Sequence, residues 1–391
     1  MNSVIAYVNH EMLVWARESA NYDLEEIAHK IGVSVKRLES WEEGTDFPTY
    51  LQLLKLANSY KRPSAMFFGK KIPEKPETEP DFRFLPDVDI KPKLSPKIIF
   101  ELRNAESKRK TFINLKEELK EEITIFTLKA NISEEEKDVV EKIKKALNIS
   151  WAKRFSWKTA DDALKEWISI IENLGVLIFQ FVDIKPKEMR GYALNNGILP
   201  IIGINATEHA HGRIFTLLHE LVHITLGKRG ISNLYGYKIN NNVERFCNRV
   251  AGEILVPTEI LLSESIVVNN DSGNWEDYKL RILSNRFKVS KEVILRRLLT
   301  LELISEEFYD SKRDEFLGYV APPSFEKGQK VRRDLTAFKS LKRNGDLYTD
   351  AVIASYRNEL ITTSELSDYL GVKLKYLPEI EQNLYRDRRF K

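Results

Sequence analysis

Cysteine is nearly absent: Cys247 is the only one in 391 residues. No disulfide can form within the chain and no cysteine cage for zinc can be built. A lone cysteine on an apolar helix is expected to be a buried small hydrophobe. No apolar run approaches the ~20 residues that a membrane helix needs. The opening MNSVIAYVNHEM lacks the basic start and apolar core of a secretory signal. These absences point to a cytoplasmic protein with no membrane partner. A dominant charge is missing too, since 61 Lys and Arg stand against 58 Asp and Glu. A net charge of +3 gives no global argument for nucleic acid. The basic clusters ESKRKTF (106–112) and LYRDRRFK (384–391) read as solvated helix faces. No internal repeat and no low-complexity tract is expected. Histidine is scarce as well, with six in the chain.

What remains is a globular composition, 42% hydrophobic and 30% charged, in a chain long enough for two or three cores. The expected fold is multidomain and mainly α with a small β-sheet. Six prolines between Ile72 and Lys97 forbid a continuous helix or a central strand there. Four segments follow: a helical domain over 1–69, a proline-rich linker over 70–97, an α+β domain over 98–320 and a helical segment over 321–391. Within 98–174 the pattern reads as helical, with LKEELKEEITIFTLKA and ADDALKEWISIIENLG its strongest pieces and Gly175 as a C-cap. VLIFQF (176–181), RGYALNNG and ILPIIGIN (198–205) read as short strands. Helices are expected again over 213–227, 242–255 and 275–302. The last segment carries two short helical patterns, with Thr363 or Ser364 as a cap and Gly371 as a turn. It is expected to have a structural role, with partner binding or closure over a cleft as alternatives.

In the N-terminal segment Asp23 can cap a helix whose apolar positions are Leu24, Ile27, Ala28 and Ile31. Gly32 supplies a left-handed turn, Ser34 caps a second helix, and Leu38 and Trp41 face the core. Two helices joined this way form a helix-turn-helix. Through LEEIAHKIGVS, LESWEEG, FPTYLQLLKLA and PSAMFF the segment resembles the phage-repressor-like (XRE-type) family. The resemblance implies a five-helix DNA-binding bundle in which Ser34, Lys36, Arg37 and Ser40 face the groove. Glu39, Glu42 and Glu43 bring acidic charge close to where phosphates would lie. The alternative is a packing module for dimerisation or partner binding, and a homodimer is among the expected assemblies.

TLLHELVHITLG (216–227) sets His219 and His223 four residues apart, on one face of a helix. Glu220 is rotated by about 100° and can reach a metal-bound water without being a ligand. This H-E-x-x-H spacing is a zinc-peptidase signature. A third ligand must come from elsewhere, and NNVERFCNRVAGEILVP offers Glu244 and Glu253. Nine residues apart, they lie on opposite helix faces, so only one can serve. Glu244 is favoured because Asn248, one turn on, can hold the far nitrogen of a histidine ligand. Glu253 is expected to be a structural carboxylate.

RIFTLLHELVHITLG, VERFCNRVAGEILVP and LSNRFKVSKEVILRRLLTLELI together resemble the ImmA/IrrE-like zinc metallopeptidases over roughly 170–305. The resemblance implies a minimal thermolysin-like zincin domain, Zn2+ held by His219, His223 and Glu244, and Glu220 as the general base and acid. It further implies an intracellular regulator that binds DNA through its first domain and cleaves a protein such as a repressor or antitoxin. A regulator whose peptidase fold serves as a sensor or scaffold is the alternative, and a component of a toxin–antitoxin or phage-defence locus is another. Tyr235, Tyr237, His209 and His211 are candidate oxyanion donors, though each reads first as a loop or lid residue. Arg213 is expected to anchor the start of the histidine helix.

Overall fold

The computed structural model describes residues 4–73, 94–195, 198–228, 230–232, 242–270, 274–318 and 335–386. Contacts divide the chain into two compact units, Met1–Ser107 and Lys108–Lys391. Most of the proline-rich segment, residues 74–93, lies outside the described residues.

The first unit holds α1 (His10–Ser19), α2 (Leu24–Ile31), α3 (Val35–Glu42), α4 (Tyr50–Tyr60) and a 3-10 helix at Ser64–Phe68. The fifth helical element of this bundle is thus a 3-10 turn. Met12, Leu13, Ile27, Leu38, Trp41, Leu53, Leu56 and Phe67 form its core. Helix α5 (Pro96–Glu118) begins in this unit, where Phe100 packs on that core and Arg103 donates to the carbonyls of Tyr60 and Ser19. Residues 98–107 therefore cluster with the N-terminal helices.

The second unit continues through α6 (Glu136–Leu147), α7 (Trp151–Ser156) and α8 (Ala160–Glu172) to β1 (Leu177–Phe181), β2 (Gly191–Leu194) and β3 (Ile201–Asn205). Then come α9 (Ala210–Thr225), β4 (Gly230–Ser232), α10 (Asn242–Leu255), α11 (Thr258–Ser263) and α12 (Ser265–Val268). Helices α13 (Asp277–Phe287), α14 (Lys291–Thr300) and α15 (Glu306–Gly318) follow, and α16 (Leu335–Asn344), α17 (Asp346–Arg357), α18 (Thr363–Leu370) and α19 (Leu377–Arg386) close the chain. The sheet order is β1-β3-β2-β4, with β1 parallel to β3 and both other pairs antiparallel. Alternation of period two sends Ile178, Ala193, Ile202 and Ile204 into the core shared with α8, α9 and α10. On the strand's other face Phe179 meets Tyr348 of α17 edge-on, with ring centroids 6.3 Å apart.

The structure corrects three sequence expectations. Helix α5 stops at Glu118, and residues 121–130 of LKEELKEEITIFTLKA are not helical. Ile123, Thr124, Ile125 and Thr127 are β-branched, and Phe126, Leu128 and Ala130 touch the core at every second position. The period there is two, and Ala130 N donates to Thr225 O at 2.9 Å, tying the segment to the end of α9. The last segment has four helices among its described residues, and α16 packs against β1. Its cap is Thr362, whose hydroxyl accepts from Glu365 N while Thr362 N donates back to Glu365.

One turn occurs three times: a helix ends on a left-handed residue, and the valine after it donates to the carbonyl five residues back. The left-handed residues are Gly32 (φ 78°), Lys288 (φ 57°) and Gly371 (φ 64°). The bonds are Val33 N to Ala28 O at 3.0 Å, Val289 N to Ser284 O at 3.1 Å and Val372 N to Ser367 O at 3.1 Å. Such a C-terminal motif satisfies carbonyls that the helix end would otherwise leave open.

Candidate metal centre and nucleic-acid interface

Helix α9 is buried along almost its whole length, which its apolar sequence permits because α8, α10, β2 and β3 pack around it. Its start is tied down by Arg213, which donates to Gln180 Oε1 of β1 at 3.0 Å and to Asp161 Oδ1 at the start of α8 at 3.3 Å. The anchoring role expected of Arg213 is what the structure contains. One turn apart further on, His219 and His223 are 3% and 2% exposed, with Nε2 atoms 3.0 Å apart.

Helix α10 delivers the third group. Glu244 Oε2 lies 3.2 Å from His219 Nε2, and Oε1 lies 3.0 Å from His223 Nε2. Burial pushes the Glu244 carboxyl up, but hydrogen bonds to His219 and His223 and their charge outweigh it and hold it well below the usual carboxylate range. The C-terminal end of α10 is fixed by two buried arginines that sequence patterning did not single out. Arg154 donates to the carbonyls of Ile254 and Leu255 at 2.9 and 2.6 Å, and Arg297 donates to Val256 O at 3.0 Å. Both satisfy carbonyls that a helix end leaves open.

Glu253 points away from the cluster. It accepts from Thr258 N and Oγ1, both at 2.9 Å, and pairs with Arg297, so it is a structural carboxylate. Glu220 is fully buried on α9 beside β2. A β-carbon at Gly191 of β2 would come within 2.9 Å of Glu220 Oε1, so that carboxylate lies against the strand backbone. Sequence alone had no signal for this pairing, because Gly191 reads there as an ordinary strand residue.

His219, His223 and Glu244 form a group whose ligand atoms all lie within 4.8 Å of one another and that could hold a metal ion. The donor set fits a single small cation, since two imidazoles and a carboxylate converge. Ligands with bonds of ~2.0–2.1 Å around a tetrahedral ion sit roughly 3.3 Å from each other, close to these separations. The Asn248 expectation meets a different geometry. Asn248 makes no hydrogen bond to either histidine, its Oδ1 is buried without a partner, and neither histidine Nδ1 has a partner among the described residues. Phe215, one turn before His219, stacks on its ring at 6.2 Å. Cys247 is buried, and burial pushes its thiol up, as a packing role requires. His209 is exposed at the N-cap of α9, and His211 is half-buried in its first turn. Tyr235 and Tyr237 lie outside the described residues.

Residues 171–299 match the family model Peptidase_M78, the IrrE N-terminal-like domain. Residues 13–67 match the helix-turn-helix family model. The chain thus joins a helix-turn-helix to an IrrE-like peptidase domain, a pairing consistent with a regulator. The IrrE-like match runs from the end of α8 through α14 and contains the three-residue group and Glu220. No curated protein and no solved structure matches the chain. No helix of the described residues is long and apolar enough to cross a membrane.

The helix-turn-helix match supports DNA binding by the first unit. There Ser34 caps α3 by accepting from Arg37 N at 3.3 Å, and Ser40 Oγ donates to Arg37 O at 2.8 Å. Lys36 and Arg37 are exposed, with the Arg37 guanidinium 5.7 Å from the Trp41 ring. Of the three glutamates near this surface, Glu42 is turned inward. Arg17 binds it in bidentate fashion, Nε to Oε1 at 2.8 Å and Nη2 to Oε2 at 3.0 Å, which offsets its charge.

Proposed function

We propose that the chain is a zinc-dependent endopeptidase fused to a DNA-binding domain, a regulator that cleaves a repressor or antitoxin-like protein. The observation that carries this reading is the convergence of His219, His223 and Glu244 with Glu220 buried one residue from His219. Zinc, when bound by those three, supplies Lewis acidity toward the scissile carbonyl and lowers the pKa of water. Glu220 accepts a proton from the attacking water on its carboxylate and delivers it to the leaving amine. The anchors at Arg213, Arg154 and Arg297 hold α9 and α10 in place for this, since catalysis depends on positions kept to well under 1 Å. On α3, Lys36 and Arg37 contact DNA, with Ser34 and Ser40 at the same surface.

One observation favours a second reading, a sensor or scaffold with little proteolysis. A histidine ligand normally donates its other ring N–H to a partner, and His219 and His223 have none among the described residues. The deciding experiment incubates zinc-loaded protein with candidate repressors beside a Glu220→Gln control. Cleavage abolished by the substitution supports the endopeptidase. If neither protein cuts any candidate while both bind zinc and DNA, the sensor reading takes its place.

A further inference from the structure

We propose that a cavity beside the His219, His223 and Glu244 cluster is a substrate subsite for a carboxylate-bearing side chain. The inference rests on the peptidase reading and adds which residue class the site selects. The cavity measures about 100 Å³ and is lined by Gly212 and Phe215 of α9, Asn248 and Gly252 of α10, Arg296 of α14, and Arg190. Small-molecule sites run to roughly 300–1,000 Å³, so this one has room for a single side chain.

Its walls are immediate neighbours of the reactive groups. Phe215 stacks on His219. Asn248 lies one turn beyond Glu244 on α10, and Arg190 precedes Gly191, the residue against Glu220. The cavity thus lies one helix turn from the metal ligands, on the side of Phe215 and Asn248.

Two glycines, Gly212 and Gly252, line the space. Glycine inside a helix is less stable than alanine, so each needs a reason. Neither Gly212 nor Gly252 has a positive φ. A β-carbon at Gly212 would make only ordinary contact with Glu208, at 3.8 Å, whereas one at Gly252 would press at 3.3 Å on Arg297, which is buried and held by Glu253 and Val256 O. Close packing accounts for Gly252, but neither backbone conformation nor packing demands Gly212. What remains for Gly212 is the cavity that it lines.

The charge of the lining sets the ligand class. Arg190, Arg249 and Arg297 are paired with Glu208, Glu136 and Glu253, and the acidic lining residue Glu292 is paired with Arg313. Arg296 instead donates to the neutral hydroxyl of Tyr309, at 2.5 Å, and keeps its positive charge at the rim. The Asn248 amide, with a buried Oδ1 and no partner, presents an N–H to the same space on rotation by half a turn. A guanidinium and an amide N–H together suit a carboxylate.

The test uses the zinc-loaded full chain carrying Glu220→Gln, immobilised, with random decapeptide mixtures as the probe, one amidated at the C-terminus and one with free carboxyl ends. Retained amidated peptides should be enriched in Asp and Glu about fivefold over the input, the scale of one exposed ion pair. Gly212→Leu should abolish the enrichment, and Arg296→Glu should replace it with Lys and Arg. Gly212→Ala serves as the folding control and should melt no lower than the parent. Peptides retained without acidic enrichment would overturn the subsite and leave the peptidase reading standing. Retention confined to free-acid peptides would also overturn it, making a chain terminus the occupant. If no peptide is retained and the parent enzyme cuts nothing, both inferences fall.

Discussion

Gly191 on β2 and Glu220 on α9 are in contact: a β-carbon on the glycine would stand 2.9 Å from Glu220 Oε1 and 2.4 Å from Thr216 Cγ2. Any side chain at 191 must push α9 from the sheet or displace the carboxylate. Gly191→Ala is therefore expected to cut the peptidase rate by about a hundredfold, the scale of a 1 Å misplacement, while bound zinc stays at the wild-type ratio. Metal analysis beside a cleavage assay checks it. Unchanged cleavage by the alanine variant would remove the positioning role.

The two glutamates of α10 should separate cleanly. Glu244→Ala is expected to lose zinc on dialysis against a weak chelator, because it deletes the carboxylate between His219 and His223. Glu253→Ala should keep its zinc and lose about 3 kcal/mol of stability, since buried Arg297 loses its charge partner and the start of α11 loses an acceptor. Urea denaturation and metal content measured on both variants decide the matter. Equal zinc in Glu244→Ala and wild type would refute the ligand assignment.

Lys36→Ala and Arg37→Ala should weaken DNA binding at the exposed face of α3. Each loss of a phosphate contact lowers the slope of log affinity against log salt by about one. Binding isotherms at several salt concentrations measure that slope. A slope untouched by both substitutions would place the DNA elsewhere.

The three equivalent turns differ in one respect that stability should reveal. Lys288 holds a left-handed conformation at φ 57° where the other two turns use glycine. Lys288→Gly is expected to stabilise the second unit by about 0.5–1 kcal/mol, and Gly371→Ala to destabilise it by about 1 kcal/mol. Thermal melts of both variants test this, and a Gly371→Ala protein that melts like the parent would contradict it.

Local chemistry was legible in the sequence wherever one helix turn sufficed. The four-residue spacing of His219 and His223 requires a shared helix face, and Gly32 after an apolar run requires a turn. The opposite faces of Glu244 and Glu253 follow from the helix period too, and the structure sends them apart to the histidines and to Arg297. Residues 121–130 misled because charged residues before them continue a helical pattern. The core contacts of Phe126, Leu128 and Ala130, which reveal a period of two, exist only once the segment is packed.

The sequence by itself determined that two imidazoles share one helix face with a glutamate beside them, because backbone geometry over four residues leaves no alternative. Only the tertiary structure decided that Glu244 meets both rings, that Gly191 lies against Glu220, and that Asn248 faces a cavity and leaves the histidines without its amide. The contacts of Glu244 with both rings and of Gly191 with Glu220 join residues 21 to 29 positions apart, as the sequence numbering shows. Their distances are set by how α9 and α10 pack together and on the sheet, and no local propensity encodes that packing.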